Sequence, residues 1–314
     1  MPEPGSAQRP LRSVAREAWL IYAFTVAVIL WGAYVRATGS GAGCGSHWPL
    51  CNGEIIPRSP ELETIIEFTH RLTSGLAFLL VGWLTFRVFR CTGRGHPARS
   101  AALSALFFMV TEALVGAGLV LFGLVGENAS LTRAWVMAFH LVNTFLLLAA
   151  LALTAWWLNR PPSRRTDKWI RPAATGTVVL ATLLLVGMSG AVAALGDTLF
   201  PAVALAEGFA QDFHPESHIL IRLRVYHPAL ALLSVLVVLV GLQRLGPAPS
   251  PTARHWARLT VVLLVSQIAV GLINLWLLAP VVLQMIHLLA ADLLWTAAVL
   301  AVAERLWLTE PQTH

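Results

Sequence analysis

Ile65–Leu80 reads IIEFTHRLTSGLAFLL. Its second half is apolar enough for a membrane helix, yet its first half carries Glu67, His70 and Arg71. An ionisable group in a lipid-facing span costs about 2.5–3.5 kcal/mol on insertion scales, so such groups turn inward and serve a purpose. Glu67 and His70 lie three positions apart, on nearly one helix face. Three further apolar stretches carry a histidine at comparable depth: His140, His227 and His287.

The composition around that stretch fits a polytopic, all-α membrane protein. Of 314 residues, 57% are hydrophobic and 12% charged, where soluble domains carry about 25% charge; the mean hydropathy is +0.70. Eight apolar stretches approach or exceed the roughly 20 residues a bilayer requires. They fall near 18–37, 62–89, 101–125, 131–158, 172–195, 219–242, 259–278 and from Pro280 to about Leu308. Barrel strands would be about half as long and would alternate, which these stretches do not. The net charge of +6 comes from arginines grouped before span one and in alternate connections, notably NRPPSRRTDKWIR (Asn159–Arg171). This is the positive-inside pattern, so both termini are expected in the cytoplasm and no nucleic-acid partner is expected. Met1–Arg16 shows no cleavable leader pattern. Cys44 and Cys51 then share an outer loop, where disulfides persist, and Cys91 stands alone. Trp48, Trp83, Trp135, Trp156, Trp157 and Trp169 sit near span ends, as interfacial aromatics do.

An internal repeat supports the layout. TEALVGAGLVLF (Thr111–Phe122) aligns with SQIAVGLINLWL (Ser266–Leu277), and His70 and His140 are echoed by His227 and His287. The expected organisation is two pseudo-symmetric four-helix bundles. A tail (1–17) precedes an N-terminal bundle (18–158) with its outer cysteine loop (38–61). A basic cytoplasmic linker (159–171) leads to a C-terminal bundle (172–308) and a short tail (309–314). Gly116, Gly118 and Gly271 are expected to allow close helix packing.

The four histidines enter even-numbered spans from one side, so at 1.5 Å per residue they share roughly one membrane level. Two imidazoles facing one another across a bundle can ligate one haem iron from both sides. His70 is expected to pair with His140, and His227 with His287. A di-iron carboxylate core fits less well: the residues three before the other histidines are Met137, Arg224 and Gln284, where a second Glu-x-x-His motif would be needed. No HExxH zinc motif occurs. The halves differ beside their histidines. Glu67 precedes His70, whereas Arg224 occupies the matching place before His227. One site has an acid that can handle protons; the other has a cation suited to a haem propionate.

GAYVRATGSGAGCGSHWPLCNG (Gly32–Gly53), EFTHR (Glu67–Arg71), the HLVN start at His140, RVYHPALA (Arg224–Ala231) and IHLLAADLLW (Ile286–Trp295) together resemble the haem A synthase family, in its subgroup with a loop cysteine pair. The resemblance runs from about residue 18 to 308 and is most specific in its first stretch. It implies an enzyme of the bacterial-type inner membrane that oxidises the C8 methyl of haem O to a formyl group, giving haem A. By position, it implies that His227 and His287 hold haem b as a resident cofactor, that His70 and His140 flank the substrate haem, and that Glu67 is catalytic. It further implies a haem O synthase as supplier, haem-copper oxidase assembly as recipient, and an electron acceptor that is not specified; homo-oligomerisation stays open. Cys44 and Cys51 are then a structural staple, a redox relay or a tether to substrate. Arg36, Arg71 and Arg224 meet haem propionates or, for the first two, snorkel to the outer surface. On the histidines alone, a di-haem electron-transfer cytochrome fits equally well. A haem or small-molecule transporter fits less well, because Pro and Gly interruptions are scarce in mid-span.

Overall fold

The computed structural model describes residues 4–160, 163–165 and 170–309, with side chains described for 11–160 and 170–307. Ten α-helices occur among the described residues: α1 (Pro4–Ala37), α2 (Leu62–Cys91), α3 (Pro97–Leu121), α4 (Leu131–Leu158), α5 (Ile170–Leu199), α6 (Leu205–Phe213), α7 (Ile219–Arg224), α8 (Tyr226–Arg244), α9 (Pro251–Trp276) and α10 (Val281–Leu306). Taking α7 and α8 as one span, eight helices are long and apolar enough to cross a membrane. Two three-residue strands, β1 (Ser163–Arg165) and β2 (Trp307–Thr309), pair antiparallel and tie the connection after α4 to the end of α10. The protein is thus an all-α multi-pass membrane protein with one minimal strand pair. Trp169, named above as an interfacial aromatic, lies outside the described residues.

Local sequence sets the helix ends. Ser130 and Ser250 accept hydrogen bonds from the N–H groups of Arg133 (3.2 Å) and Ala253 (3.0 Å), which satisfies first-turn donors. His96 caps α3 and Pro97 opens it, where a missing N–H costs nothing. For this reason α3 begins and ends four residues earlier than hydropathy alone predicts. Helix α1 begins well before Ala18, its membrane-length apolar part starts at Leu11, and Val14 and Ala15 are fully buried. The acidic 5–6 loop contains α6, with Glu207 in its first turn, which favours the helix dipole.

The sixth span, Ile219–Arg244, loses its regular helical hydrogen bonding at Val225, between α7 and α8, where the backbone stays right-handed helical (φ −58°, ψ −32°). Pro228 has no N–H to donate to Arg224 and its ring crowds that carbonyl. The break falls two residues before His227, so the histidine sits at the start of α8.

Helices α1, α2, α3 and α4 pack in sequence order, with α4 returning to α1; α5, α8, α9 and α10 pack likewise, with α10 returning to α5. The two groups meet where α4 and α1 contact α5 and α10. A small residue permits that meeting: a Cβ on Gly187 would lie 2.7 Å from the Phe145 ring. Within the second group, a Cβ on Gly176 of α5 would lie 2.5 Å from Val302 of α10. Phe145 stacks on Trp295 with centroids 5.4 Å apart, and the Trp295 indole N–H donates to the Phe145 carbonyl. Tyr22 and Thr296 share a buried 2.6 Å hydrogen bond between α1 and α10. Gly116 plays no such part, since an added Cβ there would meet nothing within 4 Å; Gly118 would meet only Phe122, just beyond its own helix, at 3.8 Å. Trp156 is buried rather than interfacial, because its N–H donates to Glu304 at 2.7 Å.

Candidate functional site

Each group of four helices holds one couple of histidines. His227 on α8 and His287 on α10 face one another with ring centroids 6.2 Å apart and planes at 86°. An imidazole nitrogen binds a transition metal at about 2 Å, so two rings flanking one ion stand with centroids about 6 Å apart. His227 Nδ1 lies 3.1 Å from Ser189 Oγ, which fixes the ring and leaves Nε2 available. Glycines make room for both rings. A Cβ on Gly190 would lie 3.0 Å from His227 Cε1, and one on Gly271 would lie 3.1 Å from His287 Cε1.

His70 on α2 and His140 on α4 are the histidines of the first group. Gly32 of α1 abuts the His70 ring, where a Cβ would lie 2.8 Å from Cε1. Gly32 precedes Gly190 by 158 residues and His70 precedes His227 by 157, so the same glycine–histidine contact recurs in both halves. The Nδ1 atoms of His70, His140 and His287 are buried without a hydrogen-bond partner. Paired imidazoles with spare ring nitrogens, backed by glycines, fit axial ligation of haem iron. Among the described residues no group of three or more His, Cys, Asp or Glu is placed to share an ion.

Glu67 is 3% exposed. Its Oε2 accepts from the Cys44 backbone N–H at 2.7 Å, and its Oε1 accepts from the Arg71 guanidinium. Arg71 also donates to the carbonyls of His47 and Leu50, each at 2.7 Å. Thr64 adds a 2.7 Å bond to the Gly43 carbonyl. Cys44 and Cys51 form a disulfide, and both residues are buried. The first turns of α2 therefore grip the disulfide loop through the acid one turn before His70.

The other arginines also have protein acceptors. Arg36 donates to the Ala194 carbonyl (2.7 Å), Thr198 Oγ1 (2.6 Å) and Gln284 Oε1 (2.7 Å), joining α1 to α5 and α10. Arg224 pairs with Asp212 and, at 3.2 Å, with Asp197, and donates to the Gly208 carbonyl. His218 caps α7 and stacks on Phe200 with centroids 4.8 Å apart.

Three residues beside the histidines were not singled out from the sequence: Ser189, Gln267 and Glu112. Glu112 Oε1 lies 3.3 Å from His140 Nδ1, and Gln267 Nε2 lies 3.3 Å from His287 Nε2. The signal was present, since the repeat alignment pairs Glu112 with Gln267 at the same offset of 155 that links Thr111 to Ser266.

The fold and sites define a multi-pass helical membrane protein with two half-buried histidines in each group of four helices, one couple of them facing ring to ring, and a disulfide loop held by the helix that carries His70. The model of the COX15-CtaA family, described as cytochrome oxidase assembly protein, matches residues 15–299, and the chain belongs to that family. It is 51% identical over 283 residues to a Thermus thermophilus protein named Protoheme IX farnesyltransferase, an alignment covering 90% of this chain and 46% of that relative. It is 38% identical over 126 residues to the Heme A synthase of Alkalihalophilus pseudofirmus, covering 40% of each. It is 46% identical over 96 residues to the Heme A synthase of Bacillus mycoides, covering 31% of each. The chain thus spans less than half the length of these curated relatives.

Proposed function

We propose that this chain is a haem A synthase that oxidises the C8 methyl of haem O to a formyl group. The observation that carries the reading is the asymmetry between otherwise matching sites. Carboxylates, Glu67 and Glu112, attend only the His70/His140 couple, whereas the matching positions by His227/His287 are Arg224, paired with acids of its own half, and Gln267. With its oxygen drawn from water, conversion of the methyl to a formyl group would release four protons and four electrons, the electrons passing to an external acceptor, and an acid beside the site can carry the protons. In this reading residues 18–158 form the substrate bundle and residues 172–308 the haem b bundle, joined by linker 159–171.

His227 and His287 would hold haem b, which when bound would supply an electron path. His70 and His140 orient substrate haem O, and Glu67 takes up or releases protons while held by Arg71 and the Cys44 N–H. The disulfide loop keeps water from that end of the site. Arg36 and Arg71 stand at the end of the membrane where the propionates would lie. The arginine distribution supports a bacterial-type inner membrane with both termini cytoplasmic.

The Thermus relative's name suggests the neighbouring chemistry. Because this chain matches less than half of that protein, and the oxidase-assembly model covers residues 15–299 here, farnesyl transfer is assigned to the part this chain leaves unmatched. A haem O synthase is then the natural supplier of substrate, and haem-copper oxidase assembly the consumer of product.

The test is chromatography of haem extracted from the purified protein, expressed with and without a haem O source. Haem b together with haem O or haem A supports the reading. Haem b alone under both conditions, with no formyl-haem product, would convert it to a di-haem electron-transfer cytochrome.

A further inference from the structure

Glu112 and Gln267 occupy one repeat position but present different chemistry to the histidine on the following span. Glu112, on α3, is fixed by three residues on one face of α4. Its Oε1 lies 3.3 Å from His140 Nδ1 and accepts from Thr144 Oγ1 at 2.7 Å, while its Oε2 accepts from Asn143 Nδ2. Asn143 is itself held by Thr111 (2.6 Å) and by the Phe108 carbonyl (2.9 Å). The carboxylate therefore has a fixed position and a fixed orientation. Glu112 Oε1 stands 3.3 Å from His140 Nδ1, which has no aligned hydrogen-bond partner, so a small turn of the ring brings the two into a hydrogen bond and leaves Nε2 free. In the other half, Gln267 on α9 sets a neutral amide 3.3 Å from His287 Nε2, where Glu112 stands by Nδ1 of its histidine, and also donates to the His287 carbonyl at 3.1 Å; His287 Nδ1 has no partner.

We propose that Glu112 is a positioning residue for His140, and that its carboxylate gives the His70/His140 iron a lower reduction potential than the His227/His287 iron, whose matching partner is Gln267. The physical reason is general. A carboxylate accepting from the outer N–H of a metal-bound imidazole fixes its tautomer and makes it a stronger donor. A stronger axial donor favours the ferric state, and hydrogen bonding around the ligands is one of the protein's levers on haem potential. An amide provides no such charge. Two haems with separated potentials give electrons a direction, from the carboxylate-backed site toward the amide-backed one.

This inference rests on the reading that the histidine couples ligate haem, and the experiment separates the two. The purified full chain is titrated redox-spectroscopically, with His140→Ala and His227→Ala used to assign each haem. Absence of any histidine-dependent haem absorbance in the unsubstituted protein would defeat the underlying reading. With that absorbance present, Glu112→Gln should shift the N-terminal haem about tenfold toward the reduced form, about 59 mV for one electron, and leave the C-terminal haem in place. A shift below about twofold, or one toward the oxidised form, would overturn the proposal. Should Glu112→Gln hold no N-terminal haem, Gln267→Glu decides: it should move the C-terminal haem about tenfold toward the oxidised form, and an unchanged potential there would overturn the proposal instead. A merely structural role for Glu112 predicts altered haem content without the signed change in potential.

Discussion

Glu67 is bound to the backbone of Cys44, its Oε2 accepting that N–H at 2.7 Å while Arg71 holds its other oxygen. The acid next to His70 is therefore also the anchor of the disulfide loop, and its substitution separates two roles. Glu67→Gln keeps an acceptor for Cys44 but removes the charge. Glu67→Ala removes both and leaves Arg71, 12% exposed, without its carboxylate. Breaking a buried pair in this way costs about 3–5 kcal/mol; the two loop carbonyls that still face Arg71 place the expected loss near the lower end. Both variants should stop formyl-haem formation in cells supplied with haem O, and only the alanine variant should expose the Gly43–Glu54 loop to proteolysis. Undiminished haem A output from Glu67→Gln would remove the proton-handling role.

His227 and His287 stand at the separation of two rings that share an ion, so either change, His227→Ala or His287→Ala, should remove the low-spin haem b signal from the purified protein. Ser189→Ala, which removes only the 3.1 Å contact to His227 Nδ1, should keep the haem and weaken its retention about tenfold. Dialysis against apo-myoglobin reports that retention directly. Equal haem retention in all three variants would show that these rings do not hold it.

The paired histidines were legible in the sequence because an intramembrane imidazole is costly wherever it lacks a purpose, and a repeat of such residues at one level leaves few alternatives. The all-α layout was legible for the same reason: span length and loop charge are strong signals. The break at Val225 was hidden because hydropathy continues through it, although Pro228 signals it once the i−4 carbonyl is considered. Helix α6 was hidden in a loop that reads as simply acidic. Glu112 was quoted within the repeat yet passed over, because a carboxylate on an apolar helix declares its partner only when the neighbouring helix is placed. The partners of Arg36 lie 158 to 248 residues away, a range at which spacing rules are silent.

His96 provides a pH test away from the membrane-spanning helices. Its Nδ1 accepts from the Ala98 N–H at 3.2 Å, and burial, reinforced by the nearby Arg99 charge, lowers its pKa below the ordinary histidine value. The folded state thus binds fewer protons here than the unfolded state. The stabilisation is fully present above the unfolded value of about 6.5 and is lost as pH falls below it toward the depressed folded value. His96→Asn keeps a capping acceptor and removes the titration. In detergent, the thermal midpoint of the unsubstituted protein should fall relative to His96→Asn between about pH 6.5 and 5 and run parallel to it above pH 7. Parallel curves throughout would show that the half-buried cap does not titrate with folding.

Gly32 isolates the role of the α1 wall from that of the ligands themselves. A methyl there would lie 2.8 Å from His70 Cε1 and 3.0 Å from Nε2, whereas a methyl on Gly75, on the His70 helix, would meet nothing within 4 Å. Helical Gly→Ala in open space stabilises by about 0.5–1 kcal/mol, so Gly75→Ala should raise the thermal midpoint and leave haem content unchanged. Gly32→Ala gains the same backbone benefit but must push the His70 ring away, because a contact below 3 Å is not tolerated and the ring cannot compress. The expected result is a protein at least as well folded that binds less haem at the His70/His140 couple and keeps the His227/His287 haem. Gly190→Ala, at 3.0 Å from His227 Cε1, should produce the mirror outcome. Haem-to-protein ratios across these three variants distinguish a wall shaped around each ligand from glycines that merely ease helix packing, since packing alone would change stability in Gly32→Ala and Gly190→Ala without selecting which haem is lost.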